Sequence, residues 1–562
     1  MQQKFRVILS AVMVAVLTAC GGGGGDSASS GASATSGDQS APVTTAPQAD
    51  ALSISGTAAT GLAIANAPVE ARCATGTGTA TTAADGTFSM VLPAQSQAPC
   101  VLRVALPDST FLHSLVPASV VGPKVANITP LSEFVVAAAS GQNPAALFAD
   151  FQASFQAMLN QQAITDAIKK VADALAGVIA LGGVDPLTSQ LTAATSAGGA
   201  GNAFDQALDE LMAQLSARQV ALADLAAAMA TSPGTNAPAK TLLQPPASSC
   251  APLRSGTYNV MDAAVKVTVD APALTIAATD GTDKLTLVPG SEACTFTAAD
   301  APFPVTFVVS NTGVILMRTA PPQQMAHLSL LVPVQDLPKS ELAGTWNLLG
   351  YELGAGNAGD DRYGQSAVKL QFNEAGDFVG GAECASETCE AWPAEDVLTV
   401  NRTDEGSFEL VDSEGVARAQ LFKNANGQTA MFVASTQGML LGAKEQAEAM
   451  PAVGAVTNSW DITLDPTGNA AMFGANTATI ATVDASSMTY TRTARMSGAT
   501  DQPDDQWTLN APRTGLRHRA ATAVLSEVTS LNVRGAGFNV AHLTQLNGMQ
   551  TLLLSTAKVT QP

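Results

Sequence analysis

The sequence predicts a mainly β, multidomain chain with a helical insert: an N-terminal β-sandwich, a helical bundle, then two or three repeated β-sandwich or barrel units. Three observations predict it. Short alternating apolar runs broken by Gly, Asn and Asp occupy residues 51–127 and nearly everything after residue 250. Between them, from Ala126-Asn127-Ile128-Thr129-Pro130-Leu131 onward, the apolar period changes from strand-like to helix-like. The C-terminal half also repeats itself in two strings that keep the same order.

At the N-terminus, Lys4 and Arg6 precede an apolar run over residues 7–17. The run is too short for a permanent membrane helix, so residues 1–19 read as a secretory signal peptide. It ends in Leu17-Thr18-Ala19-Cys20, which resembles the lipobox of bacterial lipoproteins. That resemblance implies cleavage before Cys20, lipid attachment to its sulfur and membrane association through that lipid. Gly21, where an aspartate would retain the protein at the inner membrane, implies lipid anchoring at the outer membrane, facing either the periplasm or the surface. A cysteine carrying several acyl chains would be held firmly, since each buried methylene contributes about 0.8 kcal/mol. Residues 20–50 open with five glycines, Gly21 to Gly25, and continue rich in Ser, Ala, Thr and Gln. Such a composition cannot bury a core and predicts a disordered tether.

Residues 51–127 read as a small β-sandwich, with Asp85-Gly86 forming a turn before a strand that points Phe88 inward. With Ser55-Gly56-Thr57 at the front and Ala67-Pro68-Val69 between, the segment resembles the carboxypeptidase regulatory-like, transthyretin-like domain of cell-surface proteins, departing from it where Asn66 stands for the usual glycine. The resemblance implies spacing, stability or partner contact and brings no active-site residues.

Residues 128–232 read as helical. Asn143 is a good N-cap with Pro144 in the first turn, and Leu147, Phe148, Phe151, Phe155, Met158, Leu159, Ile164, Ile168, Val171 and Leu175 recur every three or four positions. A second helix carries Phe204, Leu208, Leu211, Met212 and Leu215, and a third starts near Ser216 with Val220, Leu222 and Leu225. The polar faces lack the Lys and Arg of an interfacial helix, so mutual packing in a bundle is expected. Residues 233–249, rich in Pro, Ser and Ala, read as a linker.

Beyond the linker, three units are expected, at 250–340, 341–449 and 450–562. Ser255-Gly256-Thr257-Tyr258-Asn259-Val260 echoes Ala343-Gly344-Thr345-Trp346-Asn347-Leu348, and residues 307–316 align without gaps on 432–441. A looser third copy runs from Asn458-Ser459-Trp460-Asp461-Ile462 to Asn547-Gly548-Met549. Sandwich and barrel both remain open for these units.

Charged residues make up 13% of the chain and the net charge is -20, which repels polyanions and excludes nucleic acid as a partner. Setting aside Cys20, the other six of the seven cysteines form an even set suited to an oxidising compartment. Six cysteines allow about fifteen connectivities; neighbours in sequence are the chosen pairs, Cys73 with Cys100, Cys250 with Cys294, and Cys384 with Cys389. No Cys-x-x-Cys pair occurs and His113, His327, His518 and His542 are scattered, so no metal site is expected.

Catalytic patterns occur only as fragments. Ser555-Thr556-Ala557-Lys558 has a Ser-x-x-Lys spacing, but it ends a strand-like run and lacks the companion motifs. The acidic loops 357–361 and 501–505 could gather oxygen ligands around calcium, but neither fits the helix-loop-helix calcium pattern, and they read as solvated turns. The expectation is therefore a non-catalytic protein without cofactors, binding or interacting at the outer membrane, with an envelope protein or a small ligand as partner. Tyr258, Trp346, Tyr351, Trp392, Trp460 and Trp507 all fall in the β half. Gly344-Thr345-Trp346 is loosely similar to the first strand of lipocalin-like barrels, which implies an alternative: small-ligand carriage, with Trp346, Tyr351 and Trp392 as candidate contacts. An enzyme whose residues converge only in the fold is the remaining alternative.

Overall fold

The computed structural model describes residues 52–560 except 119–122, 152, 232–234, 264, 282, 356–360, 386–387, 404–405, 414 and 497–504. The expected signal peptide, Cys20 and the tether lie outside the described residues, as do most of the two acidic loops.

The chain is mainly β. Its first part packs two small sheets face to face: Thr87–Val91, Ser53–Thr57 and Lys124–Val125 in one, and Thr77–Thr81, Pro68–Thr75, Gln97–Ala105 and Phe111–Val116 in the other. Alternation along Pro68–Thr75 turns Val69, Ala71 and Cys73 inward, where they meet Phe88 and Met90. Asp85 closes the turn before Phe88 by accepting from the Thr87 amide at 3.0 Å. Asn66 has φ 55°, a left-handed conformation that asparagine tolerates and glycine favours, which accounts for the substitution at that position. A disulfide joins Cys73 to Cys100 across adjacent strands.

The helical segment differs from its periodicity. The long apolar stripe after Asn143 is cut into Pro144–Ala149, Ala153–Met158 and Gln161–Leu175. Asn143 caps the first as expected, and Asn160 starts a new helix by accepting from the Ala163 amide at 3.0 Å. Residues 176–202 form no helix, and the last expected helix begins at Leu222, because Gln219 turns the chain at φ 52°. At the centre lies Pro130–Ser140, capped reciprocally by Thr129 and Ser132. Its Phe134 and Val135 share a core with Leu115 of the sandwich and with Leu208 and Leu211. Within the expected linker, Ala237–Leu242 is a helix whose Ala239 is buried in this same core, so the segment is packed structure and not a free tether.

Three β units follow. Eight strands from Gly256–Val260 to His327–Pro333 form a closed barrel, as do eight from Val456–Leu464 to Gln550–Ala557. Between them lies a nine-stranded sheet running from Gly344–Leu353 to Gly438–Lys444. Leu316 and Leu330 of the first unit, Leu349, Phe422 and Phe432 of the second, and Phe538 and Leu554 of the third form one shared core. Disulfides join Cys250 to Cys294 and Cys384 to Cys389.

The two sequence echoes fare differently. Gly256 and Gly344 have positive φ, 148° and 112°, at the start of their units. Tyr258 Oη donates to the Arg254 carbonyl at 2.8 Å, and Trp346 Nε1 to the Leu342 carbonyl at 2.7 Å, the same four-residue reach in both. The gapless match of 307–316 on 432–441 holds in the second strand of each hairpin, where Leu316 and Leu441 both face the shared core, and fails in the first. The first hairpin pairs Phe307 with Met317 and the second pairs Phe432 with Leu441, a slip of one residue. Such a slip exchanges the faces of a strand. Phe307 accordingly points into its own barrel while Phe432 points out into the shared core.

Candidate binding cleft

The middle unit is organised like a barrel with one pair of strands missing its bonds. Its first strand, Gly344–Leu353, pairs with its last, Gly438–Lys444, yet the fourth and fifth, Thr388–Ala391 and Thr399–Arg402, stand at opposite edges of the sheet. Residues 392–398 connect these two edges. Along Tyr363–Phe372 the alternation places Val368, Leu370 and Phe372 on the inner face, and Leu410, Val433 and Leu440 face them.

This inner face is left partly unfilled. A small cleft, with a cavity volume of about 40 Å³, is lined by Val368, Leu370, Leu398, Leu410, Val416 and Leu440, with Asp412 and Ser435 supplying polar atoms. Trp392 lies at its side, next to the seam. The indole occupies the space above Gly381, where an added Cβ would come within 2.2 Å of the ring, and the Trp392 amide donates to the Gly381 carbonyl at 2.9 Å. Phe378 supports it at 5.9 Å between ring centroids. On its other side, Trp392 borders a hollow of about 340 Å³ that includes Lys369, Gln371 and Asp396.

The polar atoms of the cleft gather at one end. The turn containing Asp412 follows Ser407–Val411, and Asp412 accepts from the Gly415 amide at 2.7 Å. Ser435 lies opposite Gly438, which lies opposite Glu352, so Ser435 and Glu352 share one cross-strand row. Glu352 is only 9% exposed. Burial pushes its carboxyl up from the ordinary value, the Ser366 hydroxyl bonded to it pulls back, and nearby Glu383 pushes it up further.

Of the residues expected to contact a ligand, Trp392 lines the cleft and two others do not. Trp346 is fully buried, its Nε1 already bonded to Leu342, and it serves as core. Tyr351 points the opposite way, into the joint with the third unit, where its hydroxyl donates to the Gln550 carbonyl at 2.9 Å and its ring stacks on Tyr363. Gly344–Leu353 is buried on both faces, and its sequence therefore lacks the alternation that separates inward from outward residues. Asp412, Ser435 and Leu410 escaped sequence reasoning, and the seam that gives them significance is a non-local pairing.

The remaining sequence fragments resolve as structure. Ser555 donates to Asp461 at 2.6 Å, while Lys558 lies over the Trp460 ring and faces Glu292, so the Ser-x-x-Lys tetrapeptide is strand and ion pair. Asp505 is buried between Arg492 and Arg519. Among the described residues, no group of three or more His, Cys, Asp or Glu is arranged to hold a metal, and no helix is long and apolar enough to cross a membrane.

No protein-family model matches this chain, and no curated protein matches it. Solved structures overlap it loosely. Isotype 1 transferrin binding protein B from serogroup B Neisseria meningitidis is 10% identical, with 53% of this chain and 65% of that one covered and a TM-score of 0.19. A protein of unknown function from the DUF3598 family of Nostoc punctiforme is 11% identical over 40% of this chain and 100% of that one, at a TM-score of 0.17. A mutant transferrin binding protein B from Haemophilus parasuis is 8% identical, covering 53% and 65%, at 0.18. The chain thus spans just under two thirds of the length of these transferrin binding proteins. At TM-scores this low the superpositions establish no shared fold.

Proposed function

We propose that this chain is a lipid-anchored, non-catalytic binding protein of the outer membrane that holds a small apolar molecule in the cleft of its middle β unit. The observation that carries this reading is the unpaired seam between Thr388–Ala391 and Thr399–Arg402, which opens onto an apolar cleft beside Trp392. Concave apolar sites with a few convergent polar groups are the usual form of small-molecule sites. The closed barrel before it has its interior packed with Tyr258, Phe296, Phe307 and Ile315, and offers a guest less. Anchorage rests on Leu17-Thr18-Ala19-Cys20, with residues 20–50 as the tether that would hold the folded part away from the lipid.

The test is a fluorescence titration of the purified mature chain with the neutral apolar probe N-phenyl-1-naphthylamine. Saturable binding to one site, weakened about tenfold in Trp392→Ala, is expected, since a large aromatic contact contributes on the order of 1–3 kcal/mol. Absence of saturable binding would remove the proposal.

A further inference from the structure

The strand count of the middle unit decides what can close its seam. Every ladder in the nine-stranded sheet is antiparallel, so its two edge strands, Thr388–Ala391 and Thr399–Arg402, run in the same direction. In both closed barrels the fourth and fifth strands run oppositely and bond to each other. Antiparallel closure of the middle unit therefore needs one more strand between the edges. The chain fills that place only in part: the Trp392 amide bonds to Gly381, and the connection then turns, the Asp396 amide donating to the Pro393 carbonyl at 2.9 Å. Phe378 and Gly380, farther along the strand, pair with Phe372 and Gln371 on one side, and among the described residues no ladder covers their other side. The hollow of about 340 Å³ lies along this bare stretch, between residues 378–382 and the connection after Trp392. Gly380 lines it although its φ lies outside the left-handed region and an added Cβ would meet only the tip of the Gln371 side chain, at 3.6 Å. A strand glycine that neither backbone angle nor packing requires leaves room for another backbone to approach.

We infer that an extended, basic segment of a partner protein adds here as the missing strand, bonding to the edge at residues 378–380 and setting one side chain into the hollow. This surface is separate from the small-molecule cleft. Backbone bonds along an exposed edge supply affinity in this mode of recognition, and pockets for alternate side chains supply specificity. Exposed edges are commonly blunted by charge or proline, and residues 378–381, Phe-Val-Gly-Gly, carry neither. The Cys384–Cys389 disulfide joins directly opposed residues of the adjoining hairpin, so the edge is ordered before a partner arrives. Charge complementarity selects the occupant. Residues 378–398 contain five acidic residues and no lysine or arginine, and Asp396 lines the hollow. The cations beside them are already engaged, Lys369 with Glu445 and Arg402 with Asp336. A second copy of this chain would bring the same carboxylates and a net charge of -20, so a cationic strand is favoured over self-pairing.

The experiment is fluorescence anisotropy of a labelled peptide of about six residues, alternating lysine and valine, titrated with the purified mature chain at about 0.15 M salt. Saturable binding is expected. N-methylation of alternate peptide amides keeps every charge and removes the donors, and should weaken binding about tenfold or more. The counterpart alternating glutamate and valine should bind about tenfold more weakly or worse. In Gly380→Leu the added side chain enters the hollow; peptide affinity should fall about tenfold or more, while the unfolding midpoint and the affinity for N-phenyl-1-naphthylamine stay close to the wild type. Absence of saturable binding, equal binding of the N-methylated or the glutamate peptide, or wild-type peptide affinity in Gly380→Leu would overturn the added strand. Each of these results is separable from failure of the cleft, which the neutral probe reports by itself.

Discussion

The first barrel and the middle sheet both begin with a glycine-led strand that buries an aromatic residue, Tyr258 or Trp346, in the interior of the unit. Both also pair their last strand with their first. They part company between the fourth and fifth strands. In the first barrel, Lys284–Pro289 and Thr295–Ala298 bond to each other, Leu287 opposite Ala298. In the middle unit the corresponding strands, Thr388–Ala391 and Thr399–Arg402, share no bonds, and Trp392 sits at the start of the connection between them. One missing ladder thus separates a barrel whose inner residues touch one another from a sheet whose inner residues line a cleft. Closing a sheet removes its edges; leaving a seam gives access to the interior.

Truncations of similar size should therefore have unequal consequences for folding. Phe307 is fully buried inside the closed barrel, and Phe307→Ala should cost about 3–5 kcal/mol. Trp392 is only half-buried, and Trp392→Ala should cost about 1 kcal/mol while weakening probe binding. Urea unfolding midpoints check both, and equal losses would break the comparison.

A second test lies where the middle and third units meet. The His542 side chain bonds to the Gly350 carbonyl at 2.9 Å, and burial pushes its pKa down from 6.5 to about 4, a shift that the Gly350 bond only partly opposes. In the unfolded chain the imidazole takes its proton first as the pH falls. The neutral ring's contribution is thus complete above pH 6.5 and is lost progressively as the pH drops through about 4. The loss is at most about 3 kcal/mol. Unfolding midpoints measured between pH 7 and pH 4 should fall less steeply in His542→Asn than in the wild type; identical slopes would show that the joint does not titrate there.

A narrower contrast concerns the seam hairpin. Cys384 and Cys389 are 5 residues apart, whereas Cys250 and Cys294 are 44 apart. By loop-closure entropy, losing the first bond should cost about 2 kcal/mol and losing the second about 4 kcal/mol. Paired Cys→Ala variants, compared by thermal midpoint, would sharpen the contrast between the hairpin at the seam and the tie on the closed barrel.

Local chemistry explains what could be read in advance. Asp85-Gly86 and Asn143 announce a turn and a cap because their side chains bond to amides within three residues, and the cysteine pairs lie close in sequence. The seam could not be read, because whether two strands bond depends on the path of the whole sheet. Phe307 and Phe432 occupy matching places in a ten-residue alignment, yet hairpins that differ by one residue in register send them to opposite faces. Trp346 and Tyr351 share a strand buried on both sides, so neither shows in its sequence which face it takes. Breaks in the helical stripe were hidden for a related reason: apolar spacing continues past Asp150 and Asn160 although the backbone does not.

The central claim is that the middle sheet opens into a binding cleft, and the most direct measurement is probe affinity in a variant with that cleft filled. Ala417 lines it from the strand Val416–Lys423, at a position not fully buried, so a tryptophan there can enter the space without displacing the packed core. In Ala417→Trp, binding of N-phenyl-1-naphthylamine should weaken about tenfold or more while the unfolding midpoint stays close to the wild type. Wild-type affinity in that variant would place the probe elsewhere and contradict a binding site in the middle unit.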